Sequence, residues 1–340
     1  MAVPLAPSGG SGYGLPMSFD LIALDIGGTN ARFCRAGILD GQRPALGTVR
    51  KYRVADYPGL AEAWRAFEQD EAEPLPPRAS IAIAAPVRSG PIKFTNSHWV
   101  IDPASIGDEL GIGRLALVND FEAMAYGVTA LSRDRLDPLF GPDTGLPNEG
   151  VVTIVGPGTG LGVAMAALTD GRPRIFATEG GHVGFAPSDD EDERILHGLR
   201  EMFGRVSAER VVSGPGLNLL YQLIGKRDDI GLLPLDDGEV WRRALAEDPE
   251  SAAEEALTRL CMNYGSVAGD LALAHGAACV VLAGGLTGRM KDHAAFASFH
   301  PRFVDKGRYR DFMSRLPVYH ADHPEMGLLG AAVAGQVLLA

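Results

Sequence analysis

The sequence predicts an α/β protein of two similar domains, each with a mixed sheet, that flank a deep cleft. The first observation is a strand–turn–strand pattern at residues 21–33, and the second is a similar pattern at residues 151–167. The third is the order of the surrounding segments, in which strand-like apolar runs alternate with helix-like runs. With 340 residues, of which 46% are hydrophobic and 22% charged, the chain is long enough for two domains with sizeable cores.

The first pattern, Leu21-Ile-Ala-Leu-Asp-Ile-Gly-Gly-Thr-Asn-Ala-Arg-Phe33, predicts a hairpin with a tight turn. The residues of the turn are Gly27, Gly28, Thr29 and Asn30. A concave row of N–H groups can hold phosphate oxygens, and glycine leaves room for them and permits unusual backbone angles. Asp25 adds a carboxylate where a hydrated divalent cation would sit. An ordinary glycine turn is the alternative interpretation.

The rest of the N-terminal half predicts a sheet with both antiparallel and parallel neighbours. Strands are expected at 19–25, 32–38, 47–54, 80–85 and 115–118, and helices at 59–69 and 120–130. Residues 133–149 are rich in Pro, Gly and Asp, which predicts a boundary or an exposed loop.

The second hairpin has Gly158, Thr159 and Gly160 in a turn of the same kind, so two turns are expected to face one nucleotide. An apolar strand at 278–283 ends in Gly284 and Gly285. Helices are expected at 190–203, 214–224, 238–246, 251–275 and 327–339.

Asn119 and Asp120 lie where a buried strand opens into a helix, and such strand ends face the crevice of an α/β sheet. Asp120 can accept a proton from a substrate hydroxyl, and Asn119 can bind a neighbouring hydroxyl. The alternative is that Asp120 only caps the helix that follows.

Further polar residues can bind a small ligand with several hydroxyls. Glu179 and His182 flank a two-glycine turn, where they can contact adjacent hydroxyls. A zinc site is the alternative for this pair, but no Cys or second His lies nearby. Glu209 precedes a Ser-Gly-Pro-Gly turn and can equally be an ordinary acid at a helix start. Asn96, in the segment Phe94-Thr-Asn-Ser-His-Trp99, can face the same cleft.

Composition disfavours several classes of partner. The net charge of −12 argues against a nucleic-acid surface, and no apolar run reaches the roughly 18 residues that a membrane helix needs. No strand-ending glycine turn matches G-x-x-x-x-G-K-[ST] or G-x-G-x-x-G, so phosphate binding would depend on the two hairpin turns. Three widely spaced cysteines are typical of a reducing cytoplasm, and residues 1–18 are expected to form a flexible leader.

Taken together, these segments closely resemble the bacterial glucokinase family of the actin-like and hexokinase-like ATPase superfamily. The resemblance covers residues 19–340 and rests on motifs in a fixed order: LDIGGTNARF, FTNSHW, LVNDFEAMAYG, VGPGTGLGVA, EGGHVGFAP, SAERVVSGPGL, VLAGGL and GLLGAA. It implies two actin-like (ribonuclease H-like) α/β domains that close over ATP and a hexose, usually in a homodimer. The implied small domain is 19–130 with 321–340, and the large domain is 131–320.

The resemblance also implies roles for individual residues. Asp120 is expected to be the general base for the sugar 6-hydroxyl, and Asp25 to orient Mg²⁺ through water. The residues expected to hold the sugar are Asn96, Asn119, Asp120, Glu179, His182 and Glu209. Those expected to contact ATP are Asp25, Gly27, Gly28, Thr29, Asn30, Gly158, Thr159, Gly160, Gly284 and Gly285, with the segment 213–216 near the last two.

The implied activity is phosphorylation of D-glucose at its 6-hydroxyl. A kinase for another hexose or an N-acetylhexosamine stays open, as does a sugar-sensing regulator without catalysis. The related ROK sugar kinases add a Cys-rich zinc motif after E-x-G-H, whereas residues 187–203 contain no cysteine. This difference indicates the zinc-free branch.

Overall fold

The computed structural model describes residues 20–38, 44–85, 87, 90–94, 97–231 and 235–340. These residues form two six-stranded sheets, a two-stranded sheet and the surrounding helices. The strands are β1 Leu21–Ile26, β2 Asn30–Ile38, β3 Pro44–Leu46, β4 Arg50–Arg53, β5 Arg78–Ile83, β6 Ile92–Lys93, β7 Val100–Ile101, β8 Arg114–Asn119, β9 Leu136–Phe140, β10 Gly150–Pro157, β11 Leu161–Thr169, β12 Arg172–Thr178, β13 Ala277–Leu282 and β14 Val318–Ala321. The α-helices are α1 Leu60–Asp70, α2 Ile106–Glu109, α3 Asp120–Thr129, α4 Asp190–Phe203, α5 Gly214–Arg227, α6 Asp237–Ala244, α7 Ser251–His275, α8 Gly285–Met290, α9 Phe299–Val304, α10 Arg310–Met313 and α11 Met326–Leu338.

The two large sheets share one plan. In the first, β2 pairs antiparallel with β1, β3 and β4, and the parallel strands β5 and β8 follow on the other side of β1. In the second, β11 pairs antiparallel with β10 and β12, and the parallel strands β13 and β14 follow on the other side of β10. Strand β9 adds an antiparallel edge beside β14. The predicted pair of similar α/β units with mixed sheets is confirmed.

The alternation of side chains along β1 decides where Asp25 lies, because successive residues of a strand face opposite sides of the sheet. Leu24 and Ile26 pack in the core shared with α1, whereas Ala23 packs in the core shared with α11. Asp25 is on the same side as Ala23, and a Cβ on Gly327 of α11 would come within 2.6 Å of the Asp25 Cγ.

Two helices, α3 and α11, connect the sheets. Helix α3 follows β8 of the first sheet but packs on β11 and β12 of the second. Helix α11 follows β14 of the second sheet but packs on β1 and β5 of the first. The helices meet at glycines: a Cβ on Gly330 would overlap the Ala123 carbonyl, and one on Gly127 would lie 2.7 Å from the Met326 sulfur. Each sheet is therefore tied to the other through a close contact of two helix backbones.

Some predicted segments differ from the structure. The expected strand 47–54 is replaced by the two short strands β3 and β4. The expected loop 133–149 contains β9, because Leu136 is buried and Phe140 stacks on Phe299 with ring centroids 5.8 Å apart. Pro138 lacks a backbone N–H and is tolerated because β9 is an edge strand.

Besides β9, the strands β6, β7, β12 and β14 have no counterpart in the sequence prediction. Strand β14 has four residues, too few to show a period, and β12 begins with Arg-Pro-Arg, which masks its strand character. The domain limits at 130 and 320 stay a prediction. The longest helix of the described part, α7, has 25 residues, and no helix there is long and apolar enough to cross a membrane.

We expect Gly330→Ala to lower the free energy of unfolding by about 2 kcal/mol, the usual cost of extra volume in a packed core. The new methyl group would overlap the Ala123 carbonyl, which destabilises the packing of the two helices. Urea unfolding followed by circular dichroism measures the change in the free energy of unfolding. Gly107→Ala in α2 is the control, because its methyl would meet only the Ile112 oxygen at 3.6 Å. Equal stability of the two variants would show that the helices do not need this close contact.

Candidate active site

A cleft of about 550 Å³ lies between the two large sheets. Its walls include four residues that the sequence singles out, namely Asp25, Asp120, Gly284 and Gly285. Asp25 is near the end of β1, Asp120 follows β8, and the two glycines follow β13. The carboxyl ends of strands from both sheets thus meet at one place, as expected for a ligand site in α/β proteins.

Asp120 is the first residue of α3, and its side chain is open to the cleft. The N-cap of the helix is Asn119, whose Oδ1 accepts hydrogen bonds from the N–H groups of Phe121 and Glu122 at 2.9 and 3.4 Å. Asp120 Oδ1 shares the Phe121 N–H at 2.8 Å. The N-cap position itself is thus occupied by Asn119 and not by Asp120.

The environment raises the pKa of the Asp120 carboxyl above its ordinary value. Desolvation by the walls of the cleft is the larger cause of this pKa shift, and the negative charge of Asp25 adds to it. The hydrogen bond from the Phe121 N–H lowers the pKa and opposes both effects. A carboxylate with a raised pKa is a stronger base, which suits the acceptance of a proton from a hydroxyl.

Helix capping occupies most of the Asn119 side chain. Its Oδ1 is used by the helix, and its Nδ2 donates to the Ala85 carbonyl at 3.2 Å. The amide also interacts with the Asp120 carboxylate and lowers its pKa, so at most one N–H is left for a ligand. The predicted contact of Asn119 with a sugar hydroxyl is therefore restricted to a single donor.

Asp25 is ion-paired within the cleft. The register of the first hairpin sets Arg32 opposite Asp25, and Arg32 Nη1 donates to Asp25 Oδ2 at 2.9 Å. Arg32 Nε lies 3.5 Å from Oε2 of Glu325, the residue before α11. Burial raises the pKa of Asp25, while the Arg32 guanidinium lowers it and the Glu325 charge raises it.

Arg32 and Glu325 both line the cleft, and neither is among the residues that the sequence singles out. In a hairpin with a turn at 27–29, cross-strand pairing predicts that Arg32 lies opposite Asp25. The sequence therefore contained the information needed to find Arg32 as the partner of Asp25. Glu325 had none, because its approach to Arg32 depends on how α11 packs on the first sheet.

The first predicted phosphate turn connects β1 and β2. The Gly27 N–H donates to the Asn30 carbonyl at 3.0 Å and closes the turn, so a phosphate cannot use it. Gly27 does not have a positive φ, and a Cβ there would meet only the Asn30 oxygen at 3.5 Å. Gly27 therefore does not use the unusual backbone angles that glycine permits. The residues from 27 to 30 adjoin Asp25 but are not part of the lining of the cleft itself.

The second turn, Gly158 to Gly160, contacts two other loops. The Gly158 N–H closes the turn on the Gly160 carbonyl at 2.7 Å, and the Gly158 carbonyl accepts from the Gly214 N–H at 2.8 Å. A Cβ on Gly284 would lie 3.1 Å from the Pro157 oxygen. The structure thus brings together the second turn, the start of α5 and the loop that begins α8.

A second group of predicted residues forms a row beside β11: Glu179, His182 and Glu209. We call it the sugar row, because the resemblance predicts that these residues hold the sugar. His182 Nε2 lies 3.9 Å from Glu179 Oε2, and His182 Nδ1 lies 3.9 Å from Glu209 Oε1. Glu209 Oε2 accepts a hydrogen bond from the Leu161 N–H at 2.9 Å. Because the spacings along the row exceed a hydrogen bond, each group can bind a hydroxyl. Asn96 lies outside the described residues.

Glycines place the sugar row relative to Asp120. A Cβ on Gly181 would overlap the Leu161 carbonyl, so the turn that begins the row lies directly on β11. A Cβ on Gly162 would overlap the Phe121 ring, so β11 also contacts the residue that follows Asp120. The row and Asp120 are therefore neighbours of the same strand end.

The residues of the cleft fit a cation that arrives with phosphates. Among the residues that the structure describes, no three His, Cys, Asp or Glu side chains are grouped to hold a metal ion. Asp25 offers one carboxylate whose side chain is 19% exposed. One or two carboxylates, phosphate oxygens and several waters are the usual ligands of Mg²⁺ in nucleotide sites.

Residues 22–337 match the family described as Glucokinase. The chain is 44% identical to Glucokinase of Zymomonas mobilis subsp. mobilis over 315 residues, which cover 93% of this chain and 97% of that protein. It is 38% identical to Glucokinase of Stenotrophomonas maltophilia over 318 residues, covering 92% and 93% of the two chains. The crystal structure of glucokinase from an Antarctic psychrotroph has a TM-score of 0.84 at 30% identity, covering 94% of this chain and 100% of that chain. The chain belongs to the glucokinase family.

Proposed function

We propose that the protein phosphorylates D-glucose at its 6-hydroxyl with ATP, giving glucose 6-phosphate and ADP. The observation that carries the proposal is a cleft in which Asp120, a carboxylate with a raised pKa, shares the walls with Asp25 and the Gly284 loop. A base for an acceptor hydroxyl thus lies beside groups suited to a nucleotide. The relatives named Glucokinase support glucose as the acceptor.

Phosphoryl transfer leaves little covalent chemistry to the protein, so positioning and charge neutralisation dominate. Asp120 accepts the proton of the sugar 6-hydroxyl while the hydroxyl oxygen bonds to the γ-phosphorus of ATP. The bond between the γ-phosphorus and the β,γ-bridging oxygen breaks in the same step, and ADP leaves. The sugar row holds the other hydroxyls of the sugar, and Asn119 donates its remaining N–H to one of them. These contacts keep the 6-hydroxyl in line with the nucleotide.

The nucleotide lies between the two hairpin turns and the Gly284 loop. The N–H groups at 28–30 and 159–160 are the proposed donors to phosphate oxygens. Asp25 orients Mg²⁺ through water, and Mg²⁺, when bound, neutralises charge on the transferred phosphoryl group. The start of α5 is near the Gly284 loop and is the proposed contact of the adenosine.

A homodimer, a cytoplasmic location and a place at the first step of glycolysis complete the proposal. The resemblance to the bacterial family supports the homodimer and the metabolic step. Cys34, Cys261 and Cys279 are buried free thiols, which supports a reducing compartment.

A coupled assay with a panel of sugars tests the activity. We expect turnover of glucose with ATP to exceed that of fructose, mannose and N-acetylglucosamine, and ADP or polyphosphate to be poor donors. Mass spectrometry of the product identifies glucose 6-phosphate. Preference for another hexose would show that glucose is not the acceptor. Absence of turnover with every sugar would favour a sugar-sensing regulator.

We expect Asp120→Asn to lower kcat by at least ~10²-fold, the lower range for the loss of a positioned base. Glucose binding, measured by isothermal titration calorimetry, should stay within a few-fold of wild type, because the sugar row is intact. Glu122→Gln makes the same carboxylate-to-amide change in the same helical turn, outside the lining of the cleft, and should keep kcat. Near-normal turnover of Asp120→Asn would contradict its role as the base.

We expect Gly158→Ala to fold normally but to bind ATP about tenfold more weakly, a loss of about 1.4 kcal/mol. Gly158 does not have a positive φ, and a Cβ there would have no protein atom within 4 Å. The free protein therefore has room for the methyl group, whereas a phosphate bound at this turn would meet it. Calorimetry with a non-hydrolysable ATP analogue measures the affinity, and thermal unfolding checks the fold. Gly113→Ala, whose methyl would meet only the Pro77 oxygen at 3.6 Å, should change neither. Unchanged affinity in Gly158→Ala would exclude this turn as a phosphate site.

A further inference from the structure

Arg32 is shared by two carboxylates that come from opposite ends of the chain. Its Nη1 lies 2.9 Å from Asp25 Oδ2, and its Nε lies 3.5 Å from Glu325 Oε2. The Glu325 Oε2 atom is buried and has no hydrogen-bond partner among the described residues. A buried carboxylate oxygen without a hydrogen bond is costly, so its position beside Arg32 calls for a reason.

The backbones that carry the two acids are held in place, whereas the guanidinium can move. Asp25 is fixed by β1 and by Gly327, where a Cβ would lie 2.6 Å from the Asp25 Cγ. Glu325 is fixed at the start of α11, since its N–H donates to His323 Nδ1 at 3.2 Å and its carbonyl accepts from the Leu329 N–H at 2.9 Å. The Arg32 side chain is 39% exposed and reaches both acids on a long flexible stem.

The proposed nucleotide site creates a conflict at Asp25. The same carboxylate cannot pair closely with a guanidinium and orient a hydrated divalent cation without placing two positive groups side by side, and their repulsion is strong in a partly desolvated cleft. Binding of the nucleotide with its cation therefore disfavours the Arg32–Asp25 ion pair. The nearest other acid to the guanidinium is Glu325.

We propose that Glu325 is a positioning residue that takes Arg32 from Asp25 when the nucleotide binds with Mg²⁺. The inference rests on the proposed function. In this exchange the guanidinium keeps a carboxylate partner throughout, and Asp25 becomes available to the water shell of the cation. Arg32 stays in the cleft, where it can donate a charge-assisted hydrogen bond to a phosphate oxygen.

The test measures how strongly Mg²⁺ promotes nucleotide binding. Isothermal titration calorimetry gives the Kd of AMP-PNP in EDTA and in Mg²⁺. The readout is the Kd in EDTA divided by the Kd in Mg²⁺, which is large when Mg²⁺ promotes binding. Glu325→Gln is expected to lower this ratio by about tenfold, within the usual range of coupling between two ligands, because Arg32 loses its second carboxylate and stays on Asp25. An unchanged ratio, or an equal loss of affinity in both conditions, would overturn the proposal.

Two further variants show whether Glu325 acts through Arg32. In a chain that carries Arg32→Ala, adding Glu325→Gln should leave the ratio unchanged. A tenfold effect that persists there would overturn the proposal, because Glu325 would then act on the cation directly. Asp322→Asn removes another carboxylate from the lining of the cleft, and a ratio within about twofold of wild type is expected for it. An equal drop of the ratio in Asp322→Asn would show that the loss of one negative charge from the cleft is enough to explain the effect. That result would overturn the proposal.

The outcome separates this inference from the proposed function. Glucose affinity and the thermal midpoint of Glu325→Gln should match wild type, since Glu325 is not in the sugar row. If wild type binds AMP-PNP and phosphorylates glucose while the ratio of Glu325→Gln is unchanged, only the role of Glu325 fails. If wild type binds no AMP-PNP and phosphorylates no hexose, the proposed function fails, and the inference fails with it.

Discussion

The close contact between α3 and α11 is the constraint on which the arrangement of the cleft depends. Gly330 lies on the Ala123 carbonyl without room for a side chain, so the two helix axes cannot separate or slide freely. Both helices begin at the cleft, α3 with Asp120 and α11 near Gly327, which lies against Asp25. The contact therefore fixes the two carboxylates relative to each other, although they belong to different strand ends.

The same arrangement explains how an acidic protein can bind a polyanion. The chain carries a net charge of −12, and the cleft itself contains Asp25, Asp120 and Glu325. Against these acids stand the Arg32 guanidinium and the N-terminus of α11, which has no side-chain cap and favours negative charge. Because the acids outnumber the Arg32 guanidinium, we propose that a nucleotide with its own divalent cation binds better than the bare anion.

Local patterns in the sequence predicted the parts of the site that depend on one hairpin or one strand end. Alternation in β1 places Asp25, and the change from strand to helix after β8 places Asp120. Assignment of the cap to Asn119 needed the hydrogen bonds themselves, because either residue suits that position. The pairing of Arg32 with Glu325 depends on the packing of α11 against the first sheet, which no local pattern encodes.

The sugar row is unequally prepared for a ligand, and this inequality bears on selectivity. Glu209 is held by the Leu161 N–H at 2.9 Å and by Gly160, where a Cβ would overlap its carboxylate, so it loses little freedom when a hydroxyl binds. The Glu179 and His182 side chains are 66% and 56% exposed and must be ordered by the ligand. A hexose that satisfies both recovers this cost, whereas one with a misplaced hydroxyl leaves a polar group of the site unpaired. We therefore propose that discrimination between hexoses depends more on Glu179 and His182 than on the rigid Glu209.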